Sequence, residues 1–189
     1  MQFDIILADP PWSYRGQKQF GFAGDVGVDT GGAVNHYETM SVEEICVLPV
    51  EALAADDALL FLWTTGPMLC TDAPRVIGAW GFEYATCAFV WDKLATNPGY
   101  YTLSQHEFCL VAKRGRIPDP RGTRNERQLV REIRGEHSAK PVEARARIER
   151  MFPTQRKIEL FAREAAAGWH GWGNEYPGRQ LPLEELAWI

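Results

Sequence analysis

The chain has 189 residues, 46% hydrophobic and 24% charged, with a formal net charge of −5. That length and apolar content suit a single globular domain with a sizeable core, and no apolar run approaches the roughly 18 residues that a membrane-crossing helix needs. Cys46, Cys70, Cys87 and Cys109 stand far apart with no Cys-x-x-Cys pair, which argues against a metal centre or a disulfide framework and reads as four small buried hydrophobes.

The first element is the continuous apolar run Phe3–Ala8, a strand of the kind buried in a parallel sheet. No basic leader precedes it, so a cytoplasmic protein is expected. The strand ends on Asp9-Pro10-Pro11-Trp12. Next comes Ser13–Asn35, with Gly16, Gly21, Gly24, Gly27, Gly31 and Gly32 and no periodicity. A loop of that length beside a strand end predicts a lid that closes over a ligand, against the plainer reading of a flexible surface loop.

Ser41-x-x-Glu44 is a capping box that opens a short helix. Ala58–Trp63 is a second strand, Met68–Trp80 a helix stopped by Gly81, and Phe82–Trp91 and Phe108–Ala112 are further strands. Arg114–Glu136, broken by Pro118, Pro120 and Gly122, reads as an insertion with a short helix at Asn125–Arg134. Pro141 opens an amphipathic helix through Ala144, Ile148 and Met151, and Lys157–Phe161 is the fifth strand. Strands alternating with helices predict a doubly wound α/β sheet in one domain, residues 1–176, containing the loop 13–35 and the basic insertion 114–136. Residues 177–189 form a tail whose Leu183, Leu186 and Trp188 suit docking onto the domain and contact with a partner equally, a second copy in a homodimer included.

Charge is unevenly spread. Residues 113–163 hold 15 Lys/Arg against 7 Asp/Glu, while the rest of the chain holds 5 against 18. Lys113, Arg114, Arg116, Arg121, Arg124, Arg127, Arg131 and Arg134 recur every few residues, as a surface that neutralises nucleic-acid phosphates would require. The competing reading is a solvated helical face paired to Glu126, Glu132 and Glu136.

The chemistry concentrates at Asp9-Pro10-Pro11-Trp12. An aromatic amine such as the N6 of adenine shares its lone pair with the ring, and becomes nucleophilic when acceptors draw its two N–H groups out of conjugation. The Asp9 carboxylate and the Pro10 carbonyl, held by proline's fixed φ, supply two acceptors. Trp12 supplies a flat face on which a flipped base can stack. A strand-ending Asp-Pro turn has the same residues. In α/β sheets ligands bind outside the carboxyl ends of the strands, where Asp9 falls.

Nine motifs occur in order: Asp9-Pro10-Pro11-Trp12, His36-Tyr37-Glu38-Thr39-Met40, Phe61-Leu62-Trp63-Thr64, Trp80-Gly81-Phe82, Phe89-Val90-Trp91-Asp92-Lys93, His106-Glu107-Phe108-Cys109-Leu110-Val111, His137-Ser138-Ala139-Lys140-Pro141, Glu159-Leu160-Phe161-Ala162-Arg163, and Gly168-Trp169 through Gly173-Asn174-Glu175. Together they resemble the MT-A70 family of adenine N6-methyltransferases over roughly residues 3–176. The resemblance implies a Rossmann-like class I methyltransferase sheet in permuted order, its catalytic motif N-terminal and its cofactor strand C-terminal. It implies S-adenosylmethionine as cofactor, with Asp9, Pro10, Pro11 and Trp12 holding the target adenine and Asp9 also near the cofactor's amino-acid end. Lys140 would meet the cofactor carboxylate, and Arg163, Asn174 and Glu175 would line its ribose and adenine. The loop after Phe161 lacks the glycine-rich nucleotide fingerprint, so recognition leans on those four residues. A compact single domain suits a bacterial or phage DNA methyltransferase. RNA is the near alternative, a non-catalytic nucleic-acid-binding subunit a second, and a methyltransferase acting on a small molecule or protein amine a third.

Overall fold

Seven strands form one sheet in the order β5-β3-β4-β2-β1-β6-β7 in the computed structural model, which describes residues 2–13, 39–97, 101–135, 139–177 and 182–186. The strands are β1 (Phe3–Ala8), β2 (Ala54–Thr64), β3 (Glu83–Asn97), β4 (Ser104–Arg114), β5 (Leu129–Arg131), β6 (Lys157–Leu160) and β7 (Trp169–Trp172). β1 is parallel to β2 and β6, β6 to β7 and β3 to β5, whereas β4 is antiparallel to both β2 and β3. The sheet is therefore mixed: β3 and β4 are separated by too few residues for the crossover that a parallel pair requires.

Period-two alternation splits the core in two. Ile5 and Leu7 join Leu59, Phe61, Trp63, Phe89 and Trp91 on one face, while Ile6 and Ala8 join Leu60 and Leu62 on the other. The helices α1 (Val42–Cys46), α2 (Val50–Leu53) and α3 (Asp72–Ala79) cover the Ile6 face through Val42, Ile45, Val50, Leu53, Val76 and Ile77. Helix α4 (Val142–Met151) covers the Ile5 face with Ala144 and Ile148. Strands covered on both sides need unbroken apolar runs, as β1 and β2 have. Leu183, opening the short helix α5 (Leu183–Leu186), is 3% exposed within the Ile6-face core, so this part of the tail packs back onto the domain.

Local signals hold where the chain obeys them locally. The Ser41 hydroxyl accepts from the Glu44 N–H at 3.2 Å, and the Glu44 carboxylate accepts from the Ser41 N–H at 2.7 Å. The third helix is shorter than expected, because Gly66–Met68 forms a 3₁₀ turn and α3 begins at Asp72. Gly81, at φ +78°, provides its stop. The helix expected at Asn125–Arg134 is absent; that stretch is extended and forms edge strand β5. Its carbonyls find tertiary donors instead: the Trp91 indole N–H donates to Glu132 O at 2.8 Å and the Arg147 guanidinium to Leu129 O at 3.0 Å. Strand β7 carries too weak a sequence signal, since a four-residue Trp-His-Gly-Trp run with an internal glycine is a poor strand by composition. Of the four cysteines only Cys109 is buried, and Cys70 is exposed on the turn before α3. No helix among the described residues is long and apolar enough to cross a membrane, and no group of metal-ligating side chains gathers among them. The lid expected at 13–35 and the residues His36, Tyr37, Glu38, His137, Ser138 and Trp188 lie outside the described residues, Ser13 apart.

Candidate active site

Ala8, the last residue of β1, is in register with Leu62 of β2 and Leu160 of β6, so Asp9 emerges at the carboxyl edge of the three parallel strands. The turn that follows is pinned by backbone: Trp12 N–H donates to Pro10 O at 2.8 Å, Met40 N–H to Pro11 O at 2.8 Å, and Ser13 N–H to Met40 O at 3.1 Å. One lone pair of the Pro10 carbonyl is thus engaged within the turn, and the second is left as an acceptor. Trp12 differs from the stacking platform expected of it. Its ring is 5% exposed, within the core, and its indole N–H donates to Trp63 O at 3.1 Å. A large apolar ring with a single donor gains more from burial and one carbonyl than from an exposed face, so Trp12 fixes the turn that carries Asp9.

Alternation also decides which charges meet. Asp9 continues the phase of Ile5 and Leu7, Lys93 that of Phe89 and Trp91, and Glu107 that of Cys109, all on the α4 face of the sheet. Lys140 stands just ahead of α4 on that face. The Lys140 ammonium is 2.6 Å from Asp9 Oδ2 and 3.4 Å from Glu107 Oε2, and Glu107 Oε1 is 3.3 Å from Lys93 Nζ. The Lys140 ammonium also lies 5.9 Å from the centre of the Trp63 ring. Two carboxylates and two ammonium groups therefore alternate along one buried line, with side-chain exposure falling from 27% at Asp9 to 6% at Lys93. Burial pushes the Asp9 carboxyl above its usual range against the pull of Lys140. Burial pushes Glu107 up as well, but Lys140 and Lys93 together outweigh it and hold that carboxyl below its usual range.

On the far side of β1, β6 ends with Phe161 at φ +62°, a left-handed turn rare for a bulky residue. Its ring meets Trp172 edge-on at 5.8 Å. The turn carries the chain to Arg163, whose Nε is 3.8 Å from Glu175 Oε1. Gly173 permits this approach: a Cβ there would stand 2.6 Å from Ala162 O and 2.7 Å from Ala162 N. Asn174 and Glu175 are exposed beside it. Behind Asp9, Arg145 of α4 bridges Glu159 at 2.9 Å and Glu164 at 3.0 Å, and burial holds the Glu159 carboxyl above its usual range. Asp9, Lys140, Arg163, Asn174 and Glu175 thus share one edge of the sheet.

The basic residues are not brought together. Lys113, Arg114 and Arg116 lie at the opposite edge, where Arg114 is in register with Ala58, and pair with Glu83 at 3.5 Å, Glu51 at 3.9 Å and Asp57 at 3.3 Å. Arg121 lies over the Phe152 ring at 5.5 Å. Arg124, Arg127 and Arg134 are exposed and have no ion pair among the described residues, and Arg131 keeps 64% of its side chain exposed while touching Asp92 at 3.2 Å. Neither Glu107 nor Lys93 was assigned a role from the sequence. The available signal was a charge in phase with a buried aromatic or apolar stripe at a strand end.

A family model described as MT-A70 matches residues 3–175. Type II methyltransferase M.MunI of a Mycoplasma species is 46% identical over 193 residues, spanning 96% of this chain and 81% of that protein. N6-methyladenosine RNA methyltransferase MTA1 of Cryphonectria parasitica is 32% identical, over 95% of this chain and 53% of its own. The N(6)-adenosine-methyltransferase catalytic subunit METTL3 of Homo sapiens is 28% identical, over 95% of this chain and 29% of its own.

Proposed function

This chain belongs to the MT-A70 family of adenine N6-methyltransferases, and on that premise we propose that it methylates adenine N6 in DNA with Asp9 as the group that activates the amine. The observation that carries the reading is the placement of a partly exposed carboxylate at the carboxyl edge of β1, held by a lysine at 2.6 Å and backed by cofactor-suited side chains on the same edge. DNA is favoured by the extent of the match to the bacterial type II methyltransferase. RNA is the second reading, favoured by the match to a protein named for RNA methylation.

The donor set suits S-adenosylmethionine. Lys140 and Arg163 are cations facing the edge where an amino-acid carboxylate would lie, and Asn174 and Glu175 offer a donor and acceptors to a ribose diol. When bound, that cofactor supplies an electrophilic methyl group on sulfur. Asp9 would accept one N–H of the amine and the remaining lone pair of the Pro10 carbonyl the other, localising the nitrogen lone pair for attack; the methyl–sulfur bond would break to leave a neutral thioether, and the surplus amine proton would leave by way of Asp9 to water. The same two acceptors stabilise the positive charge that grows on nitrogen as the bond forms. Holding donor and acceptor in contact accounts for up to about 7–11 kcal/mol of the barrier in favourable cases. The whole edge lies at the mouth of the sheet, so a base must leave its stack to reach it, at a cost of a few kcal/mol in duplex.

The phosphates would meet the exposed arginines Arg124, Arg127, Arg131 and Arg134. Arg131 and Arg134 lie at the Asp9 edge, four strand spacings or about 19 Å along it. Lys113, Arg114 and Arg116 are paired with acids at the far edge, which argues against a part in substrate contact. Arg131→Ala with Arg134→Ala should weaken DNA binding and reduce the salt slope of log K by about 2, whereas Lys113→Ala with Arg116→Ala should leave both unchanged. Fluorescence titrations at several salt concentrations make the comparison.

Transfer of labelled methyl from S-adenosylmethionine to duplex DNA, single-stranded DNA and RNA in parallel, with nucleoside analysis, tests the reading. N6-methyladenine in DNA supports it; label in RNA alone moves the assignment to the second reading; no label in any nucleic acid overturns both.

A further inference from the structure

Lys93 is 5% exposed, on the sheet face lined by Phe89 and Trp91, and no step of the methyl transfer uses it. A buried ammonium is costly to desolvate, and an apolar side chain of similar size would serve the core better. Its placement is explained by what it holds. Its partner Glu107 presents Oε1 to Lys93 at 3.3 Å and Oε2 to Lys140 at 3.4 Å, so the Lys140 ammonium already stands between two carboxylates. The nearer of these, at 2.6 Å, is Asp9. A carboxylate neutralised so closely is a weak acceptor for an amine N–H. Lys140 would have to relax from Asp9 when substrate arrives, with the cofactor carboxylate as its partner on the open side of the edge and Glu107 as its partner within the protein.

We infer that Lys93 is a positioning residue for the methyl transfer: paired to Glu107, it keeps a second anionic seat for the Lys140 ammonium, so that Asp9 is freed for the incoming amine while Lys140 keeps a counter-charge. The inference rests on the methyltransferase reading of this site. The move is small, since the Lys140–Glu107 separation of 3.4 Å needs to close by only about 0.5–0.7 Å to become a strong charge-assisted hydrogen bond. The groups facing Glu107 are Lys93 from β3 and Lys140 ahead of α4, with Asp9 beyond Lys140; Asp92 and His106, one position away on each strand, alternate to the opposite face. Both facing cations favour the ionised carboxyl, and the loss of Lys93 lets burial raise its pKa.

Four proteins make the test: the unaltered chain, Lys93→Met, Lys93→Arg, and Lys93→Met combined with Glu107→Gln. Each is measured for kcat and KM towards DNA across pH 5 to 9 and for thermal melting. Lys93→Met should lower kcat by about 10- to 100-fold, as misplacement of a catalytic group does, with KM for DNA little changed. Its acid limb should move to higher pH, because protonated Glu107 cannot seat Lys140. Lys93→Arg should restore both. The double variant should melt like the unaltered chain, having no uncompensated charge, and stay slow. If instead its kcat recovers along with its melting temperature, or if Lys93→Met keeps the full rate and the original acid limb, Lys93 is only structural and the inference falls. An unaltered chain that methylates no nucleic acid would overturn the methyltransferase reading, and this inference with it.

Discussion

Asp9→Asn lowers kcat for methyl transfer to adenine by about 10³-fold or more, the range expected when a positioned proton acceptor and its charge are both lost. The substitution keeps the volume of the side chain and puts an amide where an anion stood. An amide rotamer that still accepts from the amine lacks the charge that stabilises the growing cation; the other rotamer presents a donor to a donor. Folding should be little affected, because Lys140 retains Glu107 as a counter-charge at 3.4 Å. The variant should therefore melt near the unaltered protein and still bind S-adenosylmethionine. The pH profile gives a second reading. Burial raises the pKa of the Asp9 carboxyl, and the proposed activation of the amine needs the ionised form. Activity of the unaltered protein should accordingly be lost, as pH falls, at values above the usual aspartate range of about 4, and the residual rate of the variant should lack that limb. Single-turnover transfer with labelled cofactor measures both. Full activity in Asp9→Asn would remove the carboxylate from the mechanism.

Trp80→Ala should destabilise the protein by about 3–5 kcal/mol, a large part of the 5–15 kcal/mol that holds a typical domain folded. Trp80 is fully buried at the end of α3, and its indole N–H donates to Ile45 O of α1 at 2.9 Å. Truncation leaves a cavity beneath three helices and an orphaned carbonyl at once. Trp80→Phe separates the two effects: it fills most of the volume and removes the donor, so its cost should fall to about 1–3 kcal/mol. Urea unfolding with an unchanged m-value is the appropriate measurement, since a changed slope would mean an altered unfolded state. Because this layer covers the face of β1 opposite Asp9, kcat per folded molecule should stay the same. A Trp80→Ala protein as stable as its parent would mean that the α1–α3 layer is not anchored there.

What could be read from the sequence follows from the range of the forces involved. β1, β6 and the capping box at Ser41 are fixed by neighbours within a few residues, through apolar runs and a side chain that bonds its own backbone, and lie where expected; β2 contains its expected run Ala58–Trp63 but begins four residues earlier, at Ala54. The Asp-Pro-Pro-Trp turn was legible for the same reason, as was the family to which its neighbours belong. β5 was not. The helix signal over 125–134 is a local preference, overridden by the Trp91 indole and the Arg147 guanidinium, which reach its carbonyls from 41 and 18 residues away. The burial of Trp12 was not legible because its side chain fits an exposed stacking face and a buried anchor equally, and the carbonyl of Trp63 that holds its indole lies 51 residues on.

The same division runs through the site. By itself the sequence determined that Asp9 follows directly on the apolar run of β1, in phase with Ile5 and Leu7, and that prolines and glycines bend the chain, because these depend on covalent geometry and period. Only the tertiary structure decided that the Lys140 ammonium sits between Asp9 and Glu107, that Lys93 closes the line, and that Lys113, Arg114 and Arg116 lie at the opposite edge paired with acids. Strand order and direction set those outcomes: the short connection makes β3 and β4 antiparallel, but the pairing of β4 with β2, and so the place of both strands beside β1, is fixed by burial summed over the whole sheet, which no local window contains.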